Sequence, residues 1–104
     1  MLPEITNSKT KEFFDYVKLQ KGLASTIVNN VKLVITGEST VTQHKIDYLK
    51  NDVMALNQIA HVISATTFHV EKDKRQEAEG IALEYRDMAG KVTTDVKTII
   101  GWSI

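Results

Sequence analysis

His44, His61 and His69 are the only histidines, and the chain has no cysteine, so thiolate chemistry is excluded and any imidazole chemistry must run through these three residues. His61 and His69 stand eight residues apart. On a helix that spacing shares a face but separates the rings by about 12 Å along the axis, too far to grip one ion. His69 and Asp73 are four apart and can touch on a helix. A protein metal site needs three or four converging ligands, and one such pair is ordinarily a surface contact. Three residues after the glutamates stand Asn7, Asp15, Val41, Lys74, Gly80, Ala82 and Asp87. The Glu-x-x-His signature of di-metal helical bundles is therefore missing, which disfavours a ferritin-like oxidase. Neither a Gly-rich phosphate loop nor a Gly-x-Ser-x-Gly elbow occurs. Glu77, Glu79, Glu84 and Asp87 cluster, but among lysines and arginines, as on a solvated helix face. Acid–base catalysis wants carboxylates in a water-poor cleft. The expectation is a non-enzymatic protein with no catalytic residue, no cofactor and no metal.

Bulk properties point the same way. Lys plus Arg number 13 and Asp plus Glu number 13, so a neutral chain offers no basic footprint for nucleic acid. Neutrality gives no pull toward anionic lipid either. Apolar residues make up 42% and charged residues 25%, the usage of an ordered globular chain. No run approaches about 18 apolar residues, so no stable membrane insertion is expected. The first residues, Met-Leu-Pro-Glu-Ile-Thr-Asn-Ser-Lys, lack a basic region followed by an apolar one. A cleaved secretory signal is not expected, and the protein is expected in the cytoplasm before any export.

The elements that would position these residues are helices. From Glu38 to Glu79 run 42 residues without Gly or Pro. Ile46, Leu49, Val53, Leu56, Ala60, Ile63 and Val70 recur there at steps of three and four, with Thr67 in the gap, which is one stripe along a helix. Phe13, Val17, Ala24, Ile27, Val31 and Val34 hold the same rhythm upstream. Between the two, Thr36-Gly37-Glu38-Ser39-Thr40 is the clearest break, with Gly37 suited to a left-handed helix end. Thr40 with Gln43 fits a capping box for the helix that follows. So short a connection makes the two helices antiparallel neighbours. A third stripe runs through Ala78, Ile81, Tyr85, Met88, Val92, Val96 and Ile99. The fold expected is all-α, an elongated antiparallel hairpin with an additional C-terminal helix, in a single domain. Helix 1 spans about 8–35, the bend 36–40, helix 2 about 41–71 and helix 3 about 76–98, with Asn7 or Ser8 as first cap and residues 1–7 as a loose arm. A β-hairpin around Asn29-Asn30 competes for Ser25–Thr36, a stretch rich in β-branched residues.

Phe14, Tyr48 and Phe68 lie off the central stripes, as do Ile59 and Val62. Either they cover the edges of the seam or they form a second apolar face for a partner chain. Trp102, near the end of the sequence, is a further candidate for docking on the body or on a partner.

This layout resembles the small Trp-x-Gly helical-hairpin proteins of bacterial type VII secretion, and the related small partners of Leu-x-Gly toxins. Ile35-Thr36-Gly37 stands where that family has Trp-x-Gly, with Ile replacing Trp. The family's aromatic-x-x-x-acidic export motif is approximated by Phe68, four residues before Lys72, with Glu71 and Asp73 on either side. The resemblance spans about residues 8–75. It implies a heterodimer with another small helical protein, or with the helical N-terminal region of a larger effector, and export without a cleaved signal. Phe68, Glu71 and Asp73 would then contribute to the export signal. Phe13, Val17, Ile27, Val31, Ile46, Leu49, Val53, Leu56 and Ile63 would line the helix seam and partner interface. A homo-oligomer, as in a self-associating structural or chaperone-like bundle, is the alternative.

Overall fold

The computed structural model describes residues 2–38 and 40–101, with side chains from Lys9 onward. Three helices follow in order, α1 (Leu2–Ile35), α2 (Gln43–Thr66) and α3 (Arg75–Ile100). Among the described residues there is no strand, and Ser25–Ile35 is helical rather than part of a hairpin, with Thr36 in the turn that follows. Polar contacts fix the directions. The backbone N–H of Glu71 donates to Thr10 Oγ1 at 2.9 Å, joining the start of α1 to the turn beyond α2. Asn57 Nδ2 donates to Thr93 Oγ1 at 2.9 Å, joining the middle of α2 to the later part of α3. The helices thus run up, down and up, and α3 closes the seam of the α1–α2 hairpin. The molecule measures 54 × 19 × 19 Å with a radius of gyration of 16.2 Å. A compact chain of this length would have about 13 Å, so the bundle is a rod.

The first bend is a Schellman motif. Gly37 has φ 77°, its N–H donates to Val34 O, and the Glu38 N–H donates to Leu33 O at 2.9 Å. Only glycine adopts that φ without a Cβ clash, which is why α1 stops here. The next helix starts later than expected. Thr42, not Thr40, is its N-cap, extended at φ −106° and ψ 167°, with its hydroxyl accepting from Lys45 N. The bend therefore runs from Thr36 to Thr42.

The other differences lie at the ends of α1 and α2. The first helix already includes Leu2, so the arm and the Asn7 or Ser8 cap give way to continuous helix. The second does not reach 71. It ends at Thr66, followed by a 3-10 turn over Thr67–His69 and an extended Val70 at φ −77° and ψ 145°. The hydroxyls of Thr66 and Thr67 donate back to the carbonyls of Val62, Ile63 and Ser64 in the last turn of α2. Arg75 closes the corner by donating to Phe68 O and Val70 O. Val70 is buried all the same, so it plugs the end of the core from a turn.

The core runs the length of the rod. Ile27, Val31, Leu49, Val53, Leu56, Ile63, Val70 and Val96 are its most deeply buried large side chains. The closest helix pair is α2 with α3, where Ala60, Ala78, Ala82 and Ala89 are buried and let the backbones approach. Tyr85 and Val92 fill the space toward α1. The third helix ends at Gly101, left-handed at φ 66°. Trp102 lies outside the described residues.

Candidate helix-docking surface

The nine seam residues divide by depth. Phe13, Ile27, Val31, Leu49, Val53, Leu56 and Ile63 are buried in the chain's own core, whereas Val17 and Ile46 are half-buried. Because α3 covers the seam, the buried seven are closed to a partner chain. A partner surface must lie elsewhere.

Leu19, Leu23 and Leu33 are exposed, Leu19 by 76%. Helical spacing places them with Thr26 and Asn30 on one side of α1, at steps of four, three, four and three. This is a second stripe, turned away from the core by more than a quarter circle. It lies next to α2, because Asn30 shares a shallow cavity of about 180 Å³ with Lys45, Tyr48, Leu49 and Asp52. On the α2 side the surface continues through exposed Tyr48 and half-buried Ala55 and Val62. Tyr16 and Val62 close its far end, around a depression that also takes in Phe13, Thr66 and His69.

Charge on this shoulder is concentrated toward its two ends. No Asp, Glu, Lys or Arg occurs from Gly22 to Val31 or from Val53 to Val70, but the antiparallel pairing sets Asn30 beside Asp52 and most of the second stretch beside the charged first half of α1. Lys9 and Glu12 line the depression at its far end, and near Tyr48 it carries Lys45 and the carboxylate of Asp52. Partial burial raises its pKa above 3.8, while the Lys45 charge and a hydrogen bond with Asn30 pull the other way. Burial likewise raises the pKa of the Tyr16 phenol. An apolar patch depleted in charge is the composition of an interface core.

The opposite groove, between α1 and α3, has different chemistry. Two cavities of about 440 and 310 Å³ meet at Met88 over an apolar floor that includes Val17, Val28 and Ile81. Lys21, Lys32, Glu84, Lys91 and Asp95 stand on their rims. The exposed face of α3 carries Leu83 amid Glu79, Arg86 and Asp87.

The export-signal candidates do not share a helical face. Phe68 sits on the 3-10 turn, 63% exposed and stacked on His69 with ring centroids 4.1 Å apart. Glu71 is half-buried and held at its N–H by Thr10. Asp73 is exposed on the turn before α3. The four-residue spacing of His69 and Asp73 likewise loses its helical meaning once α2 ends at Thr66. At the bend, Ile35 is half-exposed, and the Thr36 hydroxyl lies 3.3 Å from both Leu33 O and Glu38 Oε2. Among the described residues no group of three or more metal-ligating side chains converges, and no helix is long and apolar enough to cross a membrane.

The exposed leucines are not among the residues expected from the sequence to form an interface. Their signal is a stripe parallel to the core stripe, together with the two uncharged stretches. It is masked because a leucine on a helix reads first as core. Arg75 is hidden in a similar way, since an arginine in a charged run reads as solvated.

Comparison of the chain with protein-family models, with curated proteins and with solved structures finds no match.

Proposed function

We propose that this chain is a non-enzymatic binding protein whose α1–α2 shoulder pairs with helices of another chain. The observation that carries this reading is the set of exposed apolar side chains Leu19, Leu23, Leu33 and Tyr48 on one side of the hairpin. Water-exposed leucines in regular helical spacing gain free energy when a partner helix covers them, at about 25 cal/mol for each Å² removed from water. The bundle offers nothing comparable for catalysis.

The finer reading is that of a type VII secretion substrate or adaptor. It is supported by the helical hairpin with Gly at its bend and by the exposure of Phe68 on the surface. The partner is then a small helical protein or the helical N-terminal region of a toxin. The complex assembles in the cytoplasm and leaves without a cleaved signal.

Mixing the purified chain with the helical product of an adjacent gene, followed by mass measurement, tests the binding reading. A stable complex that L19E/L23E abolishes, with helicity retained, is the expected result. A complex indifferent to both leucines overturns the shoulder as the interface. Phe68→Ala tests the export reading separately. It should leave folding intact and stop secretion by the native cell, and unchanged secretion removes that role.

A further inference from the structure

We propose that the groove between α1 and α3 binds a single-chain anionic amphiphile, a free long-chain carboxylate, with its head between Lys32 and Lys91 and its tail running toward Val17 and Ile81.

The groove has the volume and the walls of a ligand site. Its larger cavity, about 440 Å³, is lined by Val28, Val31 and Val92 together with Lys32 and Lys91. Its smaller one, about 310 Å³, takes in Val17, Ala24 and Ile81. Met88 lines both, so the two are continuous. Clefts of about 300–1,000 Å³ with apolar walls and a few placed polar groups are the usual form of small-molecule sites. Val31 and Val92 are buried at the bottom, while Val28 and Met88 stay half-buried beside the opening. The unbranched, polarisable Met88 side chain can adapt to whatever lies along it.

Length suits one acyl chain. The first and third helices run in the same direction, so the groove follows both axes. Lys32 and Val17 are 15 residues apart, about 22 Å along α1. A single acyl chain covers half of the roughly 30 Å hydrocarbon core of a bilayer. One chain laid lengthwise therefore fits between the lysines and the far end.

Charge gives the site its polarity. Lys32 on α1 and Lys91 on α3 stand on opposite banks of the larger cavity. Among the described residues neither ammonium group has a hydrogen bond or an ion pair. Two like charges on one rim repel, and an anion held between them replaces that repulsion with attraction. Asp95 lies one helical turn past Lys91, on the side away from the tail. Lys21 and Glu84, on the rim of the smaller cavity, are of opposite sign and cancel. Both lysines are exposed, so the bound carboxylate keeps its contact with water and escapes the cost of burying a charge. The tail meanwhile gains with each methylene that leaves water. The whole chain is neutral and gives an anionic bilayer no attraction, so the ligand is a free molecule and not a lipid headgroup in a membrane.

Dodecanoate, kept below its micelle concentration and titrated calorimetrically into the full chain, is the probe. One molecule should bind per chain. K32Q/K91Q should weaken dodecanoate at least about tenfold and leave dodecanol binding and helicity unchanged, because only the charge-assisted contacts are removed. Dodecyltrimethylammonium, with the same tail and the opposite charge, should bind at least about tenfold more weakly than dodecanoate. S25W, at an exposed position lining the smaller cavity, should obstruct the tail and weaken binding, whereas L19E/L23E on the α2 side of α1 should not. Absence of saturable binding overturns the proposal. So does binding indifferent to K32Q/K91Q and to the sign of the head, binding unaffected by S25W, or binding lost in L19E/L23E. Capture by phosphatidylglycerol vesicles without binding of monomeric dodecanoate makes the groove a membrane contact and overturns the free carboxylate as its ligand.

Discussion

Single residues decide where this rod bends and how it responds to acid. An added Cβ would find open space at both Gly37 and Gly80, but only Gly37 has a positive φ. Alanine at Gly37 should therefore cost about 1 kcal/mol by straining the left-handed turn, whereas Gly80→Ala should add up to about 1 kcal/mol by favouring helix. Chemical denaturation of the two variants should move the midpoint in opposite directions. Asp52 gives a pH effect of defined sign. Its folded-state pKa is raised above 3.8 by burial, so the folded chain holds the proton more tightly than the unfolded chain does. The stabilisation this supplies is complete below the ordinary value and disappears as pH rises through the raised one. Asp52→Asn should remove that slope. Melting temperatures of the two proteins, compared across the acid range, should separate as the pH climbs, with the wild type falling relative to the variant.

The helices are largely legible from spacing, and so is the end of α1 at Gly37, whereas the start of α1 and both ends of α2 are not. The 3.5-residue rhythm locates α1, α2 and α3 because core burial imposes one apolar stripe on each. Glycine at 37 marks the first bend for a reason that acts locally. The second corner has no glycine or proline, and its cause is distributed. Two consecutive threonines turn their hydroxyls onto α2 carbonyls, and Arg75 reaches back over the turn. Val70 misleads because it is buried at the next position of the stripe, although the backbone there is extended. Periodicity reports burial, and burial can be met from a turn. The outer stripe of α1 illustrates the converse, since Leu19 and Leu23 match the helical period without being buried. At this scale the expected outcome concerns Arg75. Replacing it with Met leaves the carbonyls of Phe68 and Val70 without their charged donor and should cost about 1–3 kcal/mol. Thr10→Val, which removes the acceptor for Glu71 N–H, should cost about 1 kcal/mol. Thermal unfolding of both variants checks these values, and the double variant should show coupling, because both residues hold the same corner.

At the scale of the whole molecule, the asymmetry between helix pairs governs how the bundle comes apart. Alanines bring α2 and α3 together, and the Asn57–Thr93 hydrogen bond ties them at mid-length. The long α1 lies against that pair through larger side chains and stands farther off. Native-state amide exchange should register this as two cooperative units. Amides in the middle of α1 should exchange through an opening of lower free energy than those in α2 and α3. Uniform protection across all three helices would count against the division.

The seven-residue connection from Thr36 to Thr42 gives that opening a destination. An α1 that swings away on this tether leaves a vacant trough on its own α2–α3 pair and meets an identical trough on any neighbour opened in the same way. Reciprocal exchange of the first helix between molecules would rebuild every native contact in trans. Refolding at high protein concentration should accordingly trap an entangled species that dilution releases only as slowly as the bundle unfolds.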